Sequence, residues 1–387
     1  ATITEYQWLA SDDGRAWLEK LRDSQQTLLQ QSKALRKTLD LQRAHLLLEQ
    51  LDLQSRARVK FSQAERLLFT RRSLEQATDE SIAKLKAERF PENSPLADLC
   101  CGIGGDLLSI AKCGPALAVD RDPIMQLLAT ANCRALQVPI KRIDCCDVNA
   151  QSLADVAAWH LDPDRRPDGK RTTRVGQVDP PMEVIDQLLT ACGEAAIKLA
   201  PATAVPDHWA PVVECHWIGS RRECRQQVVW FGRLAQNPGR HAATMFDSKG
   251  QPSRTLVGHP AQVVEMAATI GQYLYEPAPV VLAADLTAAL AREHELSAVD
   301  ANVGYLTADH LMKDDLLSTF RVEAVLPFDQ RKLKSLLRHR QIGRVEVKKR
   351  GVDVDPVRMQ KQLSSNLGIS ATLLITRHQN SVVAILA

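Results

Sequence analysis

Asp98, Asp120 and Asp147 each follow a short apolar run, and the first leads directly into Gly102, Gly104 and Gly105 within LADLCCGIGGDLLSIAK. An apolar strand that meets closely spaced glycines and then a helix brings backbone N–H groups up to a ligand, because no side chain blocks the approach. In parallel α/β sheets the ligand lies beyond the carboxyl ends of the strands, where these three acids fall. A carboxylate there accepts hydrogen bonds from hydroxyl or amino groups. A tight ligand-free connection would explain the glycines alone; acids at three successive strand ends argue for a bound ligand.

Two ligand classes use such a turn, dinucleotides and S-adenosylmethionine. The dinucleotide pattern G-x-G-x-x-G would put its third glycine at Leu107, and it fails here. The methyl-donor pattern fits better. Asp98 ends the first strand and the Gly102–Gly105 turn receives the methionine part. Asp120 ends the second strand, with two oxygens for the two ribose hydroxyls. Asp147 is expected to end the third, where the adenine amino group would donate to it. Cys100 stands where such a turn usually has its first glycine.

The elements that position these residues are an alternation of strand and helix. PLADLCC, ALAVD, PIKRIDCCDV and DVAAWHLDP read as strands, with helices over about 106–112, 123–136 and 181–199. That alternation predicts an α/β fold, a parallel sheet with helices on both faces. VVECHWIG, RQQVVWFGRLA and HAATMF read as further strands forming an antiparallel edge. Upstream, no glycine or proline occurs between Gly14 and Pro91, and Leu, Ala, Gln, Glu, Lys and Arg dominate. This predicts an N-terminal helical domain over 1–90, with Thr78 capping a helix whose first turn holds Asp79 and Glu80. The sheet domain is expected over 91–275, with YLYEPAPVV as a linker. Residues 280–387 read as a small α+β domain, with strands at Val345–Val347, ATLLITRH and SVVAILA and an amphipathic helix around Met359–Leu363.

The 387 residues leave room for two or three domains, and 45% apolar with 25% charged residues is ordinary for a globular protein. A formal charge of +3 permits nucleic-acid binding without demanding it, and 4% aromatics argue against extensive base stacking. The nine cysteines include no C-x-x-C, so no metal is expected. No signal peptide or membrane-spanning run is visible, and cysteines inside core strands suit a reducing cytoplasm.

DLCCGIGGD resembles the D-x-x-C-G-x-G-G-[DN] turn of RNA cap guanine-N2 methyltransferases, and ATDESIAKLKAERF resembles the helix ahead of it. The whole chain is similar to a bacterial family of class I methyltransferases with a C-terminal THUMP-like domain. The carrying segments are RARVKFSQAERLLFT, LEQAT, DLCCGIGGDLL, AVDRDP, LDPDRR, VVWFGRLA, YLTADHL, RVEAVLPFD and IGRVEVKKRGVDVDP. The resemblance implies a Rossmann-like methyltransferase sheet flanked by the N-terminal helices and the THUMP-like domain. It implies S-adenosylmethionine as cofactor, held by Gln76, Thr78, Asp98, Cys100, Gly102, Gly104, Gly105, Asp120, Arg121 and Asp147.

Enzymes of this class that act on nitrogen carry [DN]-P-P-[YFW] at the end of the fourth strand, where the first side chain and a proline carbonyl accept N–H bonds from the target amine. Here the run is Asp162-Pro163-Asp164-Arg165-Arg166, which keeps the acceptors and lacks the aromatic. Asp162, Pro163 and Arg166 are therefore the expected catalytic set, with Arg165 or Arg166 stacking on a base or gripping phosphate. Pairing of these arginines with Asp164 and Asp168 is the plainer alternative. Lys170 and Arg171 follow on a loop at the substrate side. Lys348, Lys349 and Arg350 close a basic run from Arg331 opposed only by Glu346, an expected RNA-backbone contact. The expected function is methylation of a nitrogen in structured tRNA or rRNA. Its rivals are a small-molecule or protein methyltransferase and a non-catalytic RNA-binding protein.

Overall fold

The computed structural model describes residues 1–164, 178–300, 303–365, 368–379 and 381–387. Two compact units are present: Ala1–Glu214 with Gln227–Pro238, and Cys215–Gln226 with Gly239–Ala387.

The first unit begins with helices α1 (Ile3–Ala10), α2 (Asp12–Arg22), α3 (Leu28–Leu35), α4 (Leu41–Ala57), α5 (Arg71–Gln76) and α6 (Glu80–Ala87). Their starts are written in the sequence: Ser11, Thr27 and Asp40 accept N–H bonds from the first turns of α2, α3 and α4. Then come β1 (Leu96–Leu99), α7 (Leu107–Ile110), β2 (Ala116–Val119), α8 (Pro123–Ala135), β3 (Arg142–Asp144), β4 (Ala158–Leu161), α9 (Met182–Ala191) and β5 (Ala195–Leu199). The strand order β3-β2-β1-β4-β5 is parallel throughout. Strands β6 (Glu214–Ser220) and β7 (Cys224–Trp230) follow, and Gln227–Trp230 run antiparallel to β5.

The helices do not fold as a domain apart from the sheet. Leu9, Leu35, Leu47 and Phe69 share one buried core with Leu107, Ala116, Ala118 and Leu128. Asn132 of α8 ties the two together: its Oδ1 accepts from Leu68 N at 2.7 Å, and its Nδ2 donates to Leu68 O and Ile103 O, both at 3.1 Å. The apolar stripe of these helices is covered by the sheet layer, so a boundary at residue 90 does not separate two cores.

One further reading changes. Ala195–Leu199, expected as the end of a helix, is β5: α9 ends at Ala191 with Cys192 extended, and AAIKL is buried at every position, as a central parallel strand requires. Trp159 and His160, successive residues that point to opposite faces of β4, are both fully buried, because this strand is also covered on both faces.

In the second unit β6 pairs parallel with β8 (His241–Phe246), not antiparallel as expected, and β8 pairs antiparallel with β9 (Pro252–Gly258). Next come β10 (Tyr273–Pro277), α10 (Pro279–Ala283), α11 (Thr287–Glu293), β11 (Ser297–Asp300), β12 (Val303–Ala308) and β13 (Leu317–Arg321). The stretch expected as a linker is β10, an interior strand between β12 and β13, with Leu274 and Tyr275 fully buried. The chain ends with β14 (Ala324–Pro327), α12 (Gln330–His339), β15 (Ile342–Lys349), α13 (Pro356–Leu363), β16 (Ile369–His378) and β17 (Ser381–Leu386), in the sheet order β14-β17-β16-β15. Strand periodicity sorts its faces. Leu373 and Ile375 meet Leu333, Leu337, Met359 and Leu363 of the two helices, whereas Leu374 meets Leu274 and Tyr305 of the preceding sheet.

Candidate cofactor and active site

The site lies in the first unit, at the carboxyl ends of β1, β2 and β4. Cys100 and Gly102 have left-handed backbones, with φ of 57° and 54°. Cys100 thus keeps the conformation that favours the expected glycine, although it carries a side chain. A Cβ built on Gly102 would meet nothing within 4 Å, so the turn opens onto free space there. At Gly105 a Cβ would come within 3.3 Å of Thr78 N, so a side chain there would press the 77–78 segment back by a few tenths of an ångström.

Asp120 is held rigidly. Its Oδ2 accepts from Gly102 N at 2.8 Å and its Oδ1 from Asp122 N at 2.9 Å. A carboxylate has about four acceptor positions, so both oxygens retain capacity for hydroxyl donors. Burial pushes the Asp120 carboxyl above its usual range, against those two N–H bonds.

Beneath the turn lies a buried polar chain. The Lys86 ammonium is 2.6 Å from Asp106 Oδ1, with 1% and 6% of the two side chains exposed. Lys86 also lies 3.0 Å from His160 Nε2, and His160 Nδ1 lies 2.7 Å from Asp98 Oδ1. An ammonium has only donors, so Nε2 accepts and the neutral imidazole donates from Nδ1 to Asp98. Burial raises the Asp106 carboxyl, but the charges of Lys86, the largest, and Lys198 and the hydrogen bond from Lys86 outweigh it and hold Asp106 below the usual range. Asp98 goes the other way, because burial outweighs its bond from His160. Its Oδ2 is buried with no hydrogen-bond partner among the described residues.

These features fit S-adenosylmethionine. An unpartnered carboxylate oxygen beside a glycine turn suits an ammonium such as that of the methionine part, and fixed Asp120 suits a cis-diol. Thr78 takes a different role from the expected cap. Asp79 precedes α6, while the buried Thr78 hydroxyl donates to Asp106 Oδ2 at 2.7 Å. Gln76 ends α5 with its side chain exposed, and its carbonyl accepts from Lys198 Nζ at 3.4 Å. Strand β3 stops at Asp144, so Asp147 is an exposed loop residue three positions further on, not a strand end. Arg121 pairs with Asp179. Burial pushes the Cys100 and Cys101 thiols well above their ordinary range, which leaves both unreactive.

Asp162 follows β4 directly, and its N–H donates to Leu99 O at 3.2 Å. Its Oδ2 accepts from Lys198 Nζ at 2.6 Å, a residue that sequence reasoning missed because β5 read as helix. Pro163 is buried. Asp164 and Asp179 exchange two backbone hydrogen bonds, and Arg72 donates to Asp164 Oδ2 at 2.7 Å. Arg165, Arg166, Lys170 and Arg171 lie outside the described residues.

In the second unit, Lys348 and Arg350 both bind Glu276, at 2.7 and 3.1 Å, and Arg340 pairs with Glu323 at 2.6 Å. The basic run is thus opposed by acids from distant sequence as well as by Glu346. Lys349 is exposed, as are Arg331, Lys332, Lys334 and Arg338 on α12 and Arg344 on β15. Among the described residues Glu293, His294 and Asp314 could converge on a metal, but Arg254 already pairs with both acids. No helix among the described residues is long and apolar enough to cross a membrane.

Comparison with known proteins places the fold beside that of several methyltransferases. Residues 317–387 match the family model described as THUMP domain-like. An uncharacterized S-adenosylmethionine-dependent methyltransferase of Mycobacterium tuberculosis, strain CDC 1551, is 26% identical over 315 residues, 80% of this chain and 84% of the relative. Its counterpart in strain H37Rv matches to the same extent. A crystal structure from Porphyromonas gingivalis W83, provisionally described as a methyltransferase, superposes with a TM-score of 0.79 at 17% identity, covering 96% of each chain. The chain is thus similar in sequence to S-adenosylmethionine-dependent methyltransferases and shares the fold of the Porphyromonas gingivalis structure. It carries a THUMP-like domain at its C-terminus.

Proposed function

We propose that the chain methylates a nitrogen in structured RNA, a tRNA or rRNA. The observation that carries this reading is Asp162, an accessible carboxylate at the end of β4, two strand ends from Asp120 in the order β2-β1-β4. Asp120 would hold the ribose, the Gly102–Gly105 turn and Asp98 the methionine part, and Asp147 the adenine. S-adenosylmethionine held there would supply an electrophilic methyl group, exchanging a C–S for a C–N bond to leave a thioether and one proton to be shed. Asp162 and the Pro163 carbonyl orient the amine through its N–H groups, and the Asp162 carboxylate accepts the proton. Arg165, Arg166, Lys170 and Arg171 are assigned to the substrate.

The RNA part of the reading rests on the THUMP-like match and on the exposed cations of α12 and β15. They suit a phosphate backbone more than base stacking. Lys349 belongs to that surface, whereas Lys348 and Arg350 are partly committed to Glu276. That commitment is the one observation favouring a small-molecule or protein substrate.

The test is nucleoside mass spectrometry of RNA from a strain lacking the gene, complemented with wild type or Asp162→Asn. A methylated nucleoside that disappears on deletion and returns with wild type alone supports the reading. An unchanged nucleoside profile contradicts it.

A further inference from the structure

The Asp162 carboxylate has one oxygen fixed and the other unbonded among the described residues. Lys198 Nζ donates to Oδ2 at 2.6 Å, while Oδ1 has no hydrogen bond among the described residues. The two side chains are unequally exposed, 8% for Lys198 and 28% for Asp162, so the lysine is the inner partner. Their placement follows from the sheet. His160 pairs with Ala196 and Leu161 with Ile197 in parallel register, so Asp162 and Lys198 are the next pair of positions, on the face of His160 and Ala196. Lys198 also donates to the Gln76 carbonyl at 3.4 Å, which joins β5, the end of β4 and the end of α5 through one ammonium.

We propose that Lys198 is a positioning residue for methyl transfer, holding Asp162 so that Oδ1 faces the target nitrogen. The inference deepens the function proposed above and rests on Asp162 being the amine acceptor. A free aspartate rotates about two side-chain bonds, and an amine must meet a lone pair at a defined place for its own lone pair to point at the methyl group. A charge-assisted bond from an almost buried donor fixes that orientation without using the outer oxygen. A neutral partner would hold it less strongly, whereas another cation at the same position can still hold it. Surface ion pairs of equal exposure would not bear this reading, because they reorient freely in water.

The test compares wild type with Lys198→Met and Lys198→Arg as full-length proteins. Calorimetry with S-adenosylmethionine serves as the fold control, and affinities within threefold of wild type are expected, because Lys198 is not assigned to the cofactor. Methyl transfer is followed with tritiated S-adenosylmethionine and total RNA from the deletion strain. For Lys198→Met kcat falls at least 100-fold while KM for the RNA changes less than threefold, and Lys198→Arg recovers at least tenfold of that loss. Crystal structures show the Asp162 carboxylate turned away in Lys198→Met and retained in Lys198→Arg. Retention of kcat within threefold in Lys198→Met, or an unmoved Asp162, overturns the proposal. If wild type itself methylates no RNA, the function proposed above fails, and the position of Asp162 in the crystal structures still decides whether Lys198 holds it.

Discussion

Lys86 and Asp106 form an ion pair at 2.6 Å in the interior, joining α6 to the residue that precedes α7. Both are more than nine-tenths buried, with the Thr78 hydroxyl donating to Asp106 Oδ2 and His160 Nε2 accepting from Lys86 beside them. Removing one member strands the other. Lys86→Met is expected to cost about 3–5 kcal/mol, measured by urea unfolding. Lys86→Met combined with Asp106→Asn costs less than the sum of the two single changes, because it leaves no unpaired charge. Additive losses would show that the two groups do not act as a pair.

The acid limb of the stability curve has an identifiable contributor at the start of α6. Burial raises the Glu80 carboxyl, but bonds from Lys84 and Ser62 outweigh it and bring its pKa from 4.5 to about 2. The folded pKa lies below the unfolded one, so this stabilisation is complete above about 4.5 and is lost as pH falls towards about 2. Glu80→Gln removes that contribution, and its urea midpoint falls less steeply over this window than that of wild type. Equal slopes would rule out the assignment.

Gly102 combines a left-handed backbone with open space above it. In Gly102→Val the side chain enters that space and the backbone strain costs about 1–3 kcal/mol. Affinity for S-adenosylmethionine is expected to drop at least 100-fold by calorimetry, with the protein still folded by circular dichroism. Affinity within threefold of wild type would place the cofactor elsewhere.

The exposed cations of the second unit divide by role. Replacing Arg331 and Lys334 of α12 with alanine should weaken binding to bulk tRNA and lower the salt slope by roughly 0.7–0.9 per lost phosphate contact. Lys348→Ala leaves Glu276 with one partner, so its first effect is a lower unfolding midpoint. A salt slope unchanged by the α12 pair would exclude that helix from the RNA surface.

Much of the site was legible because its signals are local. The glycines at 102, 104 and 105, Asp98 and Asp120 all fall within one strand–turn–helix unit and the next strand, and local spacing fixes their placement. What was not legible depends on register between distant segments. Lys198 became visible only when Ala195–Leu199 paired with β4, since an alanine-rich segment after a helix carries no strand signal of its own. The same holds for Thr78, whose neighbours suggest a cap but whose hydroxyl is directed to Asp106 by the fold. The basic run misled for this reason too, because Glu276 and Glu323 reach it from outside the segment. The helical region before residue 90 showed its helices in the sequence, but not that their apolar faces share a core with β2 and α8.

The cofactor site itself is tested most directly by calorimetric titration of S-adenosylmethionine into ligand-free wild type and into Asp120→Ala. Wild type should bind in the micromolar range, about −8 kcal/mol, and Asp120→Ala should show no detectable heat of binding. Absence of binding by ligand-free, folded wild type would contradict the assignment of the Gly102 turn and Asp120 to the methyl donor.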